Sequence, residues 1–169
     1  ALGDKPAYNT VDATLWYFNA VLQYLKYTND FQFVEEKLWS TLESIVNHHV
    51  CGTMFNIHVD DDGLLAHGAQ LTWTDASLNG KPITPREGKA VEIQALWYNA
   101  LKIMELLADH FKEKGKTEDY SLMAGETKKS FLEKFWNQQK NCLFDVVVSS
   151  ASKDGSLRPN QIIALALDF

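Results

Sequence analysis

Apolar side chains in this chain recur every three or four residues through four long stretches, and that period commits most of the sequence to amphipathic helices. The first runs over residues 13–28, with Leu15, Phe18, Val21, Leu22 and Leu25 on one face. Thr10 or Asp12 can cap its start, and Asn29-Asp30 breaks it. The second spans 31–49, with Val34, Leu38, Leu42, Ile45 and Val46 on one face and Gly52 just past its end. A third covers 90–113 through Ile93, Leu96, Trp97, Ala100, Leu101, Met104 and Leu107. A fourth covers 118–137 through Tyr120, Met123, Phe131, Phe135 and Trp136. Helices joined by breaks of a few residues are expected to pack as antiparallel neighbours.

Between the pairs the period changes. Phe55, Ile57 and Val59 alternate, Asp62-Gly63 reads as a hairpin turn, and Leu64-Leu65 begins a return strand. After the fourth helix, 143–148 reads as a short strand and 152–156 as a turn. Arg158-Pro159-Asn160 then opens a last helix over 161–167. One unit of two helices and a hairpin therefore occurs about twice. Such pairs bury their faces only by stacking on one another. The expected fold is all-α, part of an (α/α)6 toroid with short β-hairpins in its connections. Residues 1–169 read as a single domain, a segment of a larger toroid, because the last helix has nothing to pack on.

The charge balance narrows the partners. With 22 acidic and 16 basic residues the net charge is −6, and the bases form no stripe, which argues against nucleic acid. No run approaches the 18 apolar residues of a membrane span, and the start lacks a charged-then-apolar leader, so no membrane is expected. Cys51 and Cys142 share no spacing motif and read as reduced thiols of a cytoplasmic protein. The run His58-Val59-Asp60-Asp61-Asp62-Gly63 imitates a calcium loop. It has His at the first ligand position and Ala69 at the twelfth, where a bidentate Glu is needed. His48-His49 with His58 or His67 lacks zinc spacing. No metal and no cofactor is expected.

The chemistry concentrates in residues 71–92, LTWTDASLNGKPITPREGKAVE. Trp73, Asp75, Arg86, Glu87, Lys89 and Glu92 share one Gly- and Pro-punctuated connection that runs into the third helix. Indole faces stack on the apolar faces of sugar rings, hydroxyls seek charged and amide partners, and acetal cleavage needs carboxylic acids. Asp75 follows Trp73 by two positions, and an adjacent indole favours a neutral, proton-donating carboxyl. The same T-x-D-A-S pattern also suits a turn or helix cap. Asp12 is either a first-turn acid favoured by the helix dipole or an acceptor for sugar hydroxyls. Trp16, Trp73 and Trp97 are candidate sugar platforms, although helical spacing also suits Trp97 to the core. Glu92 reads as a partner of substrate hydroxyls or of Arg86. Arg86 clamps hydroxyls or holds a carboxylate, with Lys89 as its weaker copy, and Arg158 fixes the last loop at the same mouth. Glu92, Glu87 and Asp12 are the carboxylates in this chain available as a second catalytic group.

Three segments together carry a family resemblance. They are Tyr8-Asn9-Thr10-Val11-Asp12-Ala13 with Leu15-Trp16-Tyr17; Leu71-Thr72-Trp73-Thr74-Asp75-Ala76 with Thr84-Pro85-Arg86 through Gly88-Lys89 to Val91-Glu92-Ile93 and Ala95-Leu96-Trp97-Tyr98-Asn99-Ala100-Leu101; and Arg158-Pro159-Asn160-Gln161. In this order they resemble the C-terminal amylo-α-1,6-glucosidase domain of glycogen debranching enzymes, over nearly the whole chain. The resemblance implies an (α/α)6 toroid with a glucan-binding funnel. It implies hydrolysis, with inversion, of the α-1,6-linked glucose at a branch point of a glycogen-like glucan. It makes Asp75 the general acid and places the catalytic base on a later part of the toroid, beyond Phe169. The rival expectation is a glucan-binding or interaction module without catalysis, a truncated or degenerate toroid that hides its open edge in a homo-oligomer.

Overall fold

The computed structural model describes residues 9–169, so Tyr8 of the first motif lies outside the described residues. Its helices are α1 (Asp12–Thr28), α2 (Phe31–Phe33), α3 (Trp39–Cys51), α4 (Val91–His110), α5 (Lys114–Phe135) and α6 (Ile163–Ala166). The expected order of helix pair, loop, helix pair and last helix is therefore present, with the bounds of α4 and α5 displaced by one to four residues from those read off the pattern. The last helix is shorter than expected, because a 3-10 turn, Pro159–Ile162, precedes α6.

The cap of α1 differs from expectation. Its N-cap is Val11, without a side-chain cap, and Asp12 stands in the first turn, where its Oδ1 accepts from the Ala13 amide at 2.8 Å. The backbone of Val11 is held instead by the Leu71 carbonyl at 2.8 Å, so the long loop closes this helix end. At the other end Asn29 adopts a left-handed conformation (φ 54°) and donates its N–H to the Leu25 carbonyl, and Asp30 then caps α2 through the Phe33 amide.

Between α2 and α3 lies a π-helical turn, Val34–Leu38, in which the Trp39 N–H reaches back five residues to the Val34 carbonyl. The extra residue rotates the helix face by one position. Trp39 is buried at the place where strict 3.6-residue spacing puts Leu38, and Leu38 is left half-buried. Leu42 and Val46 follow Trp39 into the core as expected.

The strands are two residues long. β1 (His58–Val59) pairs antiparallel with β2 (Leu65–Ala66), and β3 (Ser77–Leu78) with β4 (Lys81–Pro82). β5 (Lys89–Ala90) pairs with β8 (Val146–Val147), which pairs in turn with β9 (Lys153–Asp154). β6 (Trp136–Asn137) pairs with β7 (Cys142–Leu143). The single strand expected over 143–148 is thus split between two ladders, and the turn expected at 152–156 contains β9.

The tip of the β1–β2 hairpin explains the imitation calcium loop. Lys89 Nζ lies 2.8 Å from Asp60 and 2.7 Å from Asp62, and Lys134 also reaches Asp62. These ammonium groups hold both carboxyls below the usual carboxylate range; for Asp62 they do so against partial burial. Lys89 is accordingly a buried structural cation of β5, not a second Arg86 at the mouth.

α4 is the axis of the core. It packs on α1, α5 and α6 and buries Ile93, Leu96, Trp97, Ala100, Leu101, Ile103, Met104 and Leu107. Trp97 is fully enclosed, with the His49 ring stacked on it at 5.8 Å between centroids. The expectation of Trp97 as a sugar platform is corrected: no face of this indole is open, and its position on the inner stripe of α4 makes it core. Among the described residues no helix is long and apolar enough to cross a membrane.

Leu101→Ala should lower the unfolding free energy by about 2–5 kcal/mol, the range for emptying a fully buried leucine site, measured by urea titration. His49 and His67 add a pH signature. Burial pushes both imidazoles below the ordinary 6.5. The unfolded chain therefore binds more protons than the folded one below that value, and stability must fall as pH drops through and below it. Thermal midpoints should decline from pH 7.5 to 5.5, and His49→Gln should flatten that slope while lowering the midpoint at every pH.

Candidate active site

The residues expected at the site gather at one end of the molecule, because three helices begin there. Val11 at the start of α1 bonds Leu71 of the loop, Val91 at the start of α4 donates to the Asp145 carbonyl at 3.0 Å, and Asn160 before α6 bonds both Asp145 and Trp73. The loop is folded back on itself by Gln70, whose amide N–H donates to the Pro85 carbonyl and whose Nε2 donates to the Asp75 carbonyl at 3.0 Å. A bridge between His67 and Gly88 ties its two ends.

Below this rim lies a buried ionic network centred on Arg86. Its backbone adopts a left-handed conformation (φ 44°), uncommon for a non-glycine residue, which turns the side chain inward. Nη1 and Nη2 fork onto the two oxygens of Glu92. Nε and Nη2 fork onto Asp145 at 2.8 and 3.0 Å, and Nη1 also meets Thr72 Oγ1 at 3.3 Å. Arg86, Glu92 and Asp145 are each under 5 % exposed. Burial alone would depress the guanidinium, but the two carboxylates outweigh it and hold its pKa above the ordinary value. Of the readings open for Arg86 and Glu92, the structure shows the mutual pair; neither group faces solvent.

Asp145 joins this network to the last loop. Its Oδ2 also accepts from Arg158 Nη1 at 2.7 Å, and its Oδ1 from Asn160 Nδ2 at 2.8 Å. Arg158 bridges on to Asp154, which partial burial would raise but which Ser156 and Arg158 hold at about 2. Asn160, with Nδ2 committed to Asp145, turns Oδ1 toward the Trp73 indole N–H at 3.2 Å. A chain of side chains thus runs from Glu92 to the rim: carboxylate, guanidinium, carboxylate, amide, indole. Asp145 was not among the expected site residues. The signal was a carboxylate inside the apolar run CLFDVVV, where a buried charge demands a partner.

Four of the expected residues face outward. Trp73 is 57 % exposed although its N–H is anchored, and Asp75 two residues on is exposed, its carboxylate without a hydrogen bond or ion pair among the described residues. The apolar shielding that the sequence took from the neighbouring indole is not supplied by this loop. Trp16, 39 % exposed, stands one helical turn beyond Asp12 on α1. Glu87 is exposed, apart from the network.

His67 was set aside as a metal ligand, and it lies within electrostatic reach of Asp12, Glu92 and Arg86. Nδ1–H donates to the Gly68 carbonyl at 2.8 Å, and the buried Nε2 has no partner among the described residues.

A scaffold of paired helices, with an indole-and-carboxylate loop over helix N-termini, is that of a glycoside hydrolase-like module. The family model for amylo-alpha-1,6-glucosidase matches residues 1–169, and the chain belongs to that family. No curated protein matches the chain. Among solved structures it is similar to a GH78-family rhamnosidase from Bacillus sp. GL1, with a TM-score of 0.66 at 16 % identity over 93 % of this chain. That likeness concerns the fold, and the chain spans only 17 % of the rhamnosidase's length.

Asp145→Asn should cost about 3–5 kcal/mol of stability, because it weakens the compensation of a buried guanidinium. Chemical denaturation followed by circular dichroism measures this. Asn160→Ala should leave the helices intact and accelerate hydrogen exchange of the Trp73 indole N–H, read by 15N NMR with Trp73→Phe as the assignment control.

Proposed function

We propose that this chain is the acid-bearing part of a debranching glycosidase that removes α-1,6-linked glucose from a glycogen-like glucan with inversion. The observation that carries the reading is the pairing of an anchored but exposed Trp73 with an unpartnered Asp75 at a mouth of helix N-termini. The indole offers a rigid face for a sugar ring, and Asp75 can reach a glycosidic oxygen without first breaking an internal bond.

In this reading Asp75 protonates the leaving oxygen as the C–O bond breaks toward an oxocarbenium-like state. Bound glucan desolvates the carboxyl, taking over a role the bare loop does not fill. Asp12 accepts hydrogen bonds from hydroxyls of the terminal glucose, and Trp16 is a second platform. Arg86, Glu92 and Arg158 shape the mouth from beneath. Inversion needs a second carboxylate roughly 6.5–9.5 Å from the acid. Glu92 is engaged at both oxygens by Arg86 and is not free for this role; in this reading the base lies on a later part of the (α/α)6 ring, as the family resemblance implies.

Asp75→Asn in the complete enzyme should reduce glucose release from branched limit dextrin by about 10²–10⁴, the worth of general acid assistance, while glucan affinity stays nearly unchanged. Equal loss of affinity and rate would make Asp75 a binding or structural residue and favour the non-catalytic module.

A further inference from the structure

Toward the core α5 buries Tyr120, Ala124, Thr127 and Phe135, with Met123 and Phe131 half-buried beside them. The opposite side of the helix carries two features that packing within the chain does not account for. Leu122 and Leu132 are 68 % and 64 % exposed there. Gly115 and Gly125 stand on the same side, and a Cβ added to either meets nothing within 4 Å. Glycine in a helix interior weakens the helix relative to alanine, so Gly125 in open space suits a close approach from outside.

The charges on this side are also uncommitted. The ion pairs that α5 makes use Lys116 and Lys134. Lys114 with Glu118, and Lys129 with Glu133, have the i,i+4 spacing of helix-stabilising pairs, yet among the described residues neither pair is formed. All four side chains are exposed.

These residues are ordered so that α5 complements a second copy of itself running the other way. A two-fold axis beside the helix, between Met123 and Ala124, sets Glu118 of one copy level with Lys129 of the other, and Lys114 level with Glu133. The same axis sets Leu122 level with Gly125, and Leu132 level with Gly115. Both charged pairs are of opposite sign, and each leucine meets a glycine. Every pair occurs twice, as an isologous contact requires.

We propose that the outer face of α5 is the contact of a weak homodimer, in which two copies of this chain pack through antiparallel α5 helices. One helix face is small beside the roughly 1,200–2,000 Å² of a stable interface, so affinity in the micromolar range is expected. The ion pairs line a solvent-exposed seam and fix direction more than strength. α5 returns along α4 after residues 111–113, and its C-terminal end reaches the functional end, where the Phe135 carbonyl accepts from Phe144 beside Asp145. Antiparallel pairing therefore sends the two functional ends apart by about the length of α5, roughly 33 Å, and leaves both mouths open.

The test is sedimentation equilibrium of the full-length protein, comparing the parent with Glu118→Lys, Lys129→Glu and Leu122→Asp. All three sites are exposed, so the variants should keep the fold, checked by circular dichroism. The parent should show a monomer–dimer equilibrium, and each variant alone should weaken it by about tenfold or more. An equal mixture of Glu118→Lys and Lys129→Glu should recover a dimer with one copy of each, because the pairs across the axis regain opposite signs. Within one helix these two positions lie about 16 Å apart, so only pairing between copies gives this rescue. A parent that stays monomeric throughout the micromolar range would overturn the proposal and leave the face to a different partner. A dimer indifferent to all three substitutions, or variants that do not recover on mixing, would overturn it as well.

Discussion

Everything at the functional end hangs on one buried guanidinium. Arg86 is surrounded by two carboxylates, and the free energy of removing three charges from water is recovered only because the fork geometry satisfies nearly every donor and acceptor. The pairing fixes three segments that are distant in sequence: the loop before α4, the first turn of α4 and the strand region around Asp145. A purely apolar junction of these segments would hold them together but would not fix their register. The ionic one does, because a shift of one residue would strand a charge.

That register is what reaches the surface. Asp145 has its remaining lone pairs taken by Arg158 and Asn160, and Asn160 passes the constraint to an exposed indole. A half-exposed tryptophan usually samples several rotamers, at a cost in binding entropy when a ligand arrives. Here the cost is met in folding. The result is an indole with little freedom beside a carboxylate that no internal bond restrains among the described residues, the division that the proposed acid role calls for.

The helices were legible because their apolar period is long and regular, and the motif residues were legible as a set. What the sequence hid has specific causes. The π turn inserts one residue into a helix face, so a 3.6-residue template selects Leu38 where the fold uses Trp39. Trp97 lies in a motif rich in site residues, but its helical position places it inside, and position prevails over residue type. Lys89 looks like a companion of Arg86 three residues earlier, yet the β5 strand sends it to the opposite partner, the acidic hairpin. Asp145 was overlooked because a strand reading treats a lone polar residue as an outward-facing one. The last three depend on contacts between residues tens of positions apart, which local spacing does not encode.

The acidic hairpin carries a consequence of its own. Asp60 and Asp62 converge as they would to capture a divalent ion, but the chain brings its own ammonium groups from β5 and α5 to fill the gap. A tethered counter-charge arrives at an effective concentration no dissolved ion matches, and it does not wash out. The hairpin turn is therefore wired to a strand and a helix, β5 and α5, indifferent to the mineral content of its surroundings.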